Sequence, residues 1–121
     1  MDWGKGTVQI GEHALEFECW GPPPSQAPTL IMLHEGLGAL ALWRDWPAEL
    51  AAQTGMGVLA YSRAGYGRSS PASLPRPLDY MSFEAAQVLG PVLDAAGVQR
   101  CTLLGHSDGA TIAGIYAGSV S

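Results

Sequence analysis

Cations are scarce in this 121-residue chain: six Lys and Arg stand against eleven Asp and Glu, a net charge of −5. Nucleic acid and anionic membrane surfaces both require clustered basic side chains, so neither is expected as a partner. Cysteine is limited to Cys19 and Cys101, too few for a disulfide framework or a zinc site. They fall in separate predicted strands, and reduced, buried thiols are the expectation. Long apolar runs are also missing. None nears the roughly 18 residues needed to span a bilayer, and Met1-Asp2-Trp3-Gly4-Lys5-Gly6 has no basic stretch followed by an apolar one, so no targeting signal is predicted. Charged residues make up only 14% and hydrophobic ones 47%, too apolar for disorder. These bounds point to a cytoplasmic globular protein with no metal site and no cofactor, and neither an internal repeat nor a linker divides it.

Glycine, at 16 residues, supplies the punctuation. Residues 7–10 and 14–20 flank Gly11-Glu12-His13 and predict a hairpin, the second strand alternating apolar and acidic as a half-exposed strand does. Gly21-Pro22-Pro23-Pro24 ends that ladder. Buried strands are predicted over 29–34 and 57–62, a helix over 40–53 with Pro47 near a turn boundary, and an irregular proline-rich loop over 71–77. A second helix over 80–96 is expected to kink at Gly90-Pro91. Residues 98–105 form a further strand. Strand and helix alternate, which predicts a parallel sheet with helices on both faces.

Three of these strands empty into loops that carry chemistry. Cys101-Thr102-Leu103-Leu104 runs into Gly105-His106-Ser107-Asp108-Gly109, and a helix-like Ala110-Thr111-Ile112-Ala113-Gly114 follows. This is a nucleophile elbow, a strand-to-helix turn so sharp that glycine flanks it and the serine oxygen is pushed above the sheet. With 16 glycines the pentapeptide alone would arise by chance roughly 0.15 times in such a chain. Its context is therefore what matters: Leu30-Ile31-Met32-Leu33-His34-Glu35-Gly36-Leu37-Gly38 and Leu59-Ala60-Tyr61-Ser62-Arg63-Ala64-Gly65-Tyr66-Gly67-Arg68-Ser69 precede it at the spacing of successive strand and helix units.

In that order the three segments resemble the N-terminal half of the α/β-hydrolase superfamily, from its first strand to the helix after the nucleophile. The resemblance covers nearly the whole chain. It implies an α/β fold with a mostly parallel sheet and an N-terminal antiparallel hairpin, and residues 1–121 as an incomplete domain of that kind. His34-Glu35-Gly36 looks like the family's oxyanion loop, with Glu35 in place of the usual first glycine; either Gly36 or Leu37 donates the amide. Ser62 stands where many members carry an aspartate. Ser107 is the implied nucleophile, with the backbone amides of Gly36 and Asp108 forming the oxyanion hole.

In this family the triad runs in the order Ser, Asp or Glu, His. No acid or histidine follows Gly109, so both partners would lie outside the chain, and a truncated chain, inactive by itself, is the expectation. The implied reaction is acyl-transfer hydrolysis of a small-molecule ester or related bond. Serine at position 107 disfavours the haloalkane dehalogenase and epoxide hydrolase branches, which use an aspartate there. A cofactor-free perhydrolase or carbon–carbon hydrolase shares the same elbow. A non-catalytic truncated relative acting as a binding module is the alternative of another class, and an open sheet edge would let such a chain self-associate.

The remaining polar and aromatic residues have plainer readings. His34 is the only internal candidate for a substitute base, but a hydrogen-bonded loop organiser is the favoured reading. His106 flanks the serine but is expected to point away, and His13 is expected in a solvated turn. Glu35 reads as solvated or loop-bonded. Trp43 and Trp46, three apart, are expected on one helix face and in packing. Gly65-Tyr66-Gly67-Arg68-Ser69-Ser70 lacks the third glycine of a dinucleotide loop, so no nucleotide site is predicted.

Overall fold

The computed structural model describes residues 2–34, 40–64, 66–69, 80–106 and 108–119. Near the N-terminus the chain reverses at Gly11-Glu12, where Gly11 takes a φ of 59°, and forms the antiparallel hairpin β1 (Lys5–Ile10) and β2 (His13–Trp20). His13 opens β2 and is half-buried, rather than standing in a solvated turn, because the loop is only two residues long. Leu15 and Phe17 are buried while Glu16 and Glu18 are only half-buried, the period of two expected of a strand with one face on a core.

Every residue of β3 (Thr29–Leu33) and β4 (Gly57–Tyr61) is buried, as befits parallel strands covered on both faces. The sheet runs β1-β2-β4-β3-β5, with β2 antiparallel to β4 and β3 parallel to both β4 and β5 (Cys101–Gly105). Successive residues serve opposite cores. Ile31, Leu33, Leu59 and Tyr61 join Leu15, Phe17 and Ile112 on one face, while Leu30, Met32, Val58 and Ala60 meet Ala51 on the other. Helix α1 (Trp46–Thr54) covers the second face. The first is covered by α2 (Tyr80–Phe83), α3 (Gly90–Ala96) and α4 (Asp108–Ser119). The α/β architecture with helices on both faces is thus observed.

Local departures from the sequence expectations have physical causes. The helix expected over 40–53 is broken: a 3₁₀ turn, Leu40–Trp43, gives way at Arg44, whose φ is 54°, and α1 starts two residues later with Pro47 in its first turn. Trp43 and Trp46 consequently do not share a face; Trp43 packs on the second core, and Trp46 is 65% exposed. Between α2 and α3 the helix widens into a π turn over Glu84–Leu89, and Gly90 keeps helical dihedrals. Buried residues recur there every four positions, at Glu84 and Ala85, Val88 and Leu89, Val92 and Leu93. A four-residue repeat overshoots the α-helical turn by about 40° per cycle, and the wider π turn absorbs the drift. It does so just ahead of Pro91, which has no N–H to give the preceding turn.

Strand β5 is shorter than expected. Gly97, at a φ of 74°, caps α3, and Val98 donates its N–H to the Leu93 carbonyl at 3.0 Å, so the chain is not extended until Cys101. Among the described residues no strand pairs with the outer edge of β5. Cys101 is therefore exposed, not buried as expected, and Leu104 is 39% exposed.

Candidate active site

The turn from β5 into α4 is built by close approach of backbone. His106 donates its N–H to the Leu33 carbonyl at 3.1 Å, carrying the β3 ladder one residue past β5, and Gly109 donates to the His106 carbonyl at 3.1 Å. A Cβ on Gly105 would collide with the backbone of Gly109 and Ala110. One on Gly109 would collide with the Leu33 carbonyl oxygen and lie 2.6 Å from that of His34. Both outer glycines of the pentapeptide are thus demanded by packing of backbone on backbone. Asp108 is the first residue of the twelve-residue α4, so its amide belongs to the unpaired N-terminal set that attracts negative charge. Ser107, Gly36, Leu37 and Glu35 lie outside the described residues.

Beneath this turn His34 is held at both ends by one residue. Its Nε2 accepts the backbone N–H of Arg63 at 3.0 Å, and its carbonyl accepts Arg63 Nη1 at 2.7 Å. Such a lone pair is not available to take a proton from a serine, which fits the favoured reading of His34 as a hydrogen-bonded loop organiser. Arg63 is fully buried. A buried guanidinium needs compensation, and here Glu84 lies 3.9 Å from its Nε, the Tyr66 ring 5.5 Å from its central carbon, and the His34 carbonyl against Nη1. The Tyr66 ring also meets the His34 imidazole edge-on at 4.8 Å.

Ser62, the residue before Arg63, is equally buried and organises a second cluster. Its hydroxyl donates to Glu16 Oε1 at 2.5 Å and accepts the Leu40 N–H at 2.8 Å. Ser69 closes the loop after β4 by donating to the Ser62 carbonyl at 2.6 Å and accepting the Glu16 N–H at 2.9 Å. A carboxylate is therefore present at this corner, but it comes from β2 and not from position 62. Gly67, at a φ of 53°, lies where a Cβ would strike Glu16 Oε1 and come 2.8 Å from Ser62 Oγ. That packing accounts for the glycine without any phosphate.

Both cysteine thiols are held toward the protonated form. Burial pushes the Cys19 thiol up to about 11, and desolvation also raises that of Cys101. Among the described residues no group of three or more His, Cys, Asp or Glu is placed to hold a metal, and no helix is long and apolar enough to cross a membrane. Sequence reasoning missed Arg63, Glu84, Tyr66 and Glu16. Only the place of Ser62-Arg63 at the end of a fully apolar strand marked a polar pair that the fold would have to bury.

Comparison with known proteins bears on this arrangement. A family model described as alpha/beta hydrolase fold matches residues 28–120. The chain belongs to the α/β-hydrolase family. Among relatives of this chain is a protein named as a carbamate hydrolase, RutD, from Pseudomonas savastanoi pv. phaseolicola, 43% identical over 84 residues that make up 69% of this chain and 30% of the relative. Epoxide hydrolase B of Mycobacterium tuberculosis is 33% identical over 98 residues, 79% of this chain and 26% of that protein. In structure, the thioesterase domain from the curacin biosynthetic pathway superposes with a TM-score of 0.77 at 29% identity, covering 98% of this chain and 42% of that one. The chain thus spans about a third of the length of the curated relatives it matches.

Proposed function

We propose that residues 1–121 are the N-terminal part of a single α/β-hydrolase domain that acts as a serine hydrolase on an ester or related acyl bond. Ser107 is the nucleophile, the backbone amides of Asp108 and Gly36 hold the oxyanion, and the triad acid and histidine come from outside these residues. The observation that carries the reading is the pair of elbow glycines, Gly105 and Gly109, each closed against backbone where β5 turns into α4, whose first residue is Asp108. In the reaction the Ser107 oxygen attacks the acyl carbon as its proton passes to the triad histidine. The charge that builds on the carbonyl oxygen is met by the two amides. Return of that proton to the leaving group completes an acyl-enzyme, which water hydrolyses. The relatives named as carbamate hydrolases support an acyl carbon as the point of attack. Serine at position 107 separates the chain from an aspartate-based epoxide opening despite its likeness to epoxide hydrolase B. Two free thiols fit a cytoplasmic setting.

In the full-length protein, Ser107→Ala is expected to abolish covalent labelling by a fluorophosphonate probe. Labelling at the wild-type rate would rule out the assignment.

A second property is favoured by the open edge of β5. Cys101 and Leu103 on that strand, with Ala113, Gly114, Tyr116 and Ala117 on α4, line an open groove of about 520 Å³. An apolar strand edge with no neighbour is a template for pairing. The isolated 121-residue chain is therefore proposed to self-associate there, and Leu104→Lys to shift it toward monomer in sedimentation. A monomeric wild-type chain with a sharp melt above about 60 °C would show instead that these residues are self-sufficient.

A further inference from the structure

We propose that Ser62 and Arg63, the two residues following β4, are positioning residues that fix both ends of the segment 35–39 and thereby aim its oxyanion-binding amide. The proposal rests on the serine-hydrolase reading above and names what sets its geometry. At the near end, Arg63 makes two hydrogen bonds to His34, the residue immediately before the segment: Nη1 to the carbonyl at 2.7 Å, and its backbone N–H to the imidazole at 3.0 Å. At the far end, the N–H of Leu40, the residue immediately after the segment, is bound by Ser62 Oγ at 2.8 Å. The residues on either side of the segment are thus both bound by neighbours that directly follow one buried strand.

The clamp is itself held rigidly. Ser62 Oγ is oriented by its bond to Glu16, and the Arg63 guanidinium is flanked by Glu84 and the Tyr66 ring. Both residues are fully buried. The near anchor also borders the elbow: the His34 carbonyl that Arg63 binds is one of the two, with that of Leu33, against which Gly109 closes. His34, which immediately precedes the segment in the chain, therefore also lies against the elbow glycine Gly109. An oxyanion donor contributes only when aimed at the position where charge develops, and a displacement of about 1 Å can cost on the order of 10²-fold in rate.

The test compares Arg63→Lys and Ser62→Ala with wild type in the full-length protein. Active sites are first titrated to completion with a fluorophosphonate; kcat and KM for a p-nitrophenyl ester are then expressed per titrated site, and inhibition by a boronic acid that mimics the tetrahedral intermediate is measured. Arg63→Lys keeps a cation but loses the planar fork. It is expected to lower kcat per site about 10- to 100-fold with KM within about twofold, and to weaken the boronic acid by a similar factor. Ser62→Ala, which leaves the Arg63–Glu84 pair intact, is expected to lower kcat per site about tenfold. Unchanged kcat per site, with only fewer titratable sites or a lower melting temperature, would show a merely structural role and overturn the proposal. If Arg63→Lys does not fold, Ser62→Ala decides alone. Labelling that persists in Ser107→Ala would instead sink the serine-hydrolase reading, whatever the clamp variants do.

Discussion

Expressed alone, residues 1–121 are expected to hydrolyse an acyl ester about 10⁴ to 10⁶ times more slowly than the full-length protein, since loss of triad members leaves only binding and the oxyanion hole to assist attack. Neither His34 nor His13 is placed to serve as the base. No acid or histidine follows Gly109. His34 lies close to the elbow, but its Nε2 already accepts the Arg63 N–H. His13 belongs to the hairpin, which is separated from β5 by β4 and β3. Initial rates with a p-nitrophenyl ester, at equal concentrations of folded protein, check the expectation. Turnover within tenfold of the full-length rate would overturn it, and His34→Ala would then show whether that histidine supplies the base after all.

Gly109→Ala is expected to destabilise the protein by about 3 kcal/mol, the upper part of the range for overpacking a closed site, and to abolish fluorophosphonate labelling. The added methyl meets the carbonyls of Leu33 and His34, which are backbone atoms of a central strand and its continuation and cannot swing aside as a flexible side chain would. Relief requires α4 to lift from the sheet, which moves the head of the helix and the elbow with it. Gly114 is the control within the same helix. A Cβ there meets nothing within 4 Å, so Gly114→Ala is expected to stabilise by about 0.5 to 1 kcal/mol through helix propensity. Urea unfolding of both variants checks the contrast. Equal stability of the two would show that the elbow is not closed as described.

Much of the fold was legible because burial on both faces leaves a plain mark: β3 and β4 are nearly unbroken apolar runs, and β2 shows its alternation in Leu15, Glu16, Phe17 and Glu18. The elbow was legible because backbone closing on backbone admits only glycine at positions 105 and 109. What stayed hidden depends on contacts distant in sequence. Arg63 reads as a loop cation until Glu84 and Tyr66 are brought to it. Ser62 reads as a lost aspartate until Glu16 arrives from β2. Pro47 marked a turn boundary, but nothing at Arg44 itself signalled a left-handed residue, and with that break went the alignment of Trp43 and Trp46. Cys101 was misjudged because burial of its strand depends on a neighbour across the sheet edge, a property of position that local pattern does not encode.

The π turn ahead of Pro91 reaches further than helix geometry. By letting a four-residue repeat stay in phase, it presents Glu84 on the same side as Val88 and Val92, inward, where its carboxylate balances the charge of Arg63. An uninterrupted α-helix of the same sequence would let that phase drift by about 40° with each repeat, carrying Glu84 away from the side held by Val92. The phase of the helix up to two turns away thus bears on whether the guanidinium that grips His34 has its counter-ion, and a length change of a single residue between Glu84 and Pro91 would unbalance Arg63 without altering any residue that touches it.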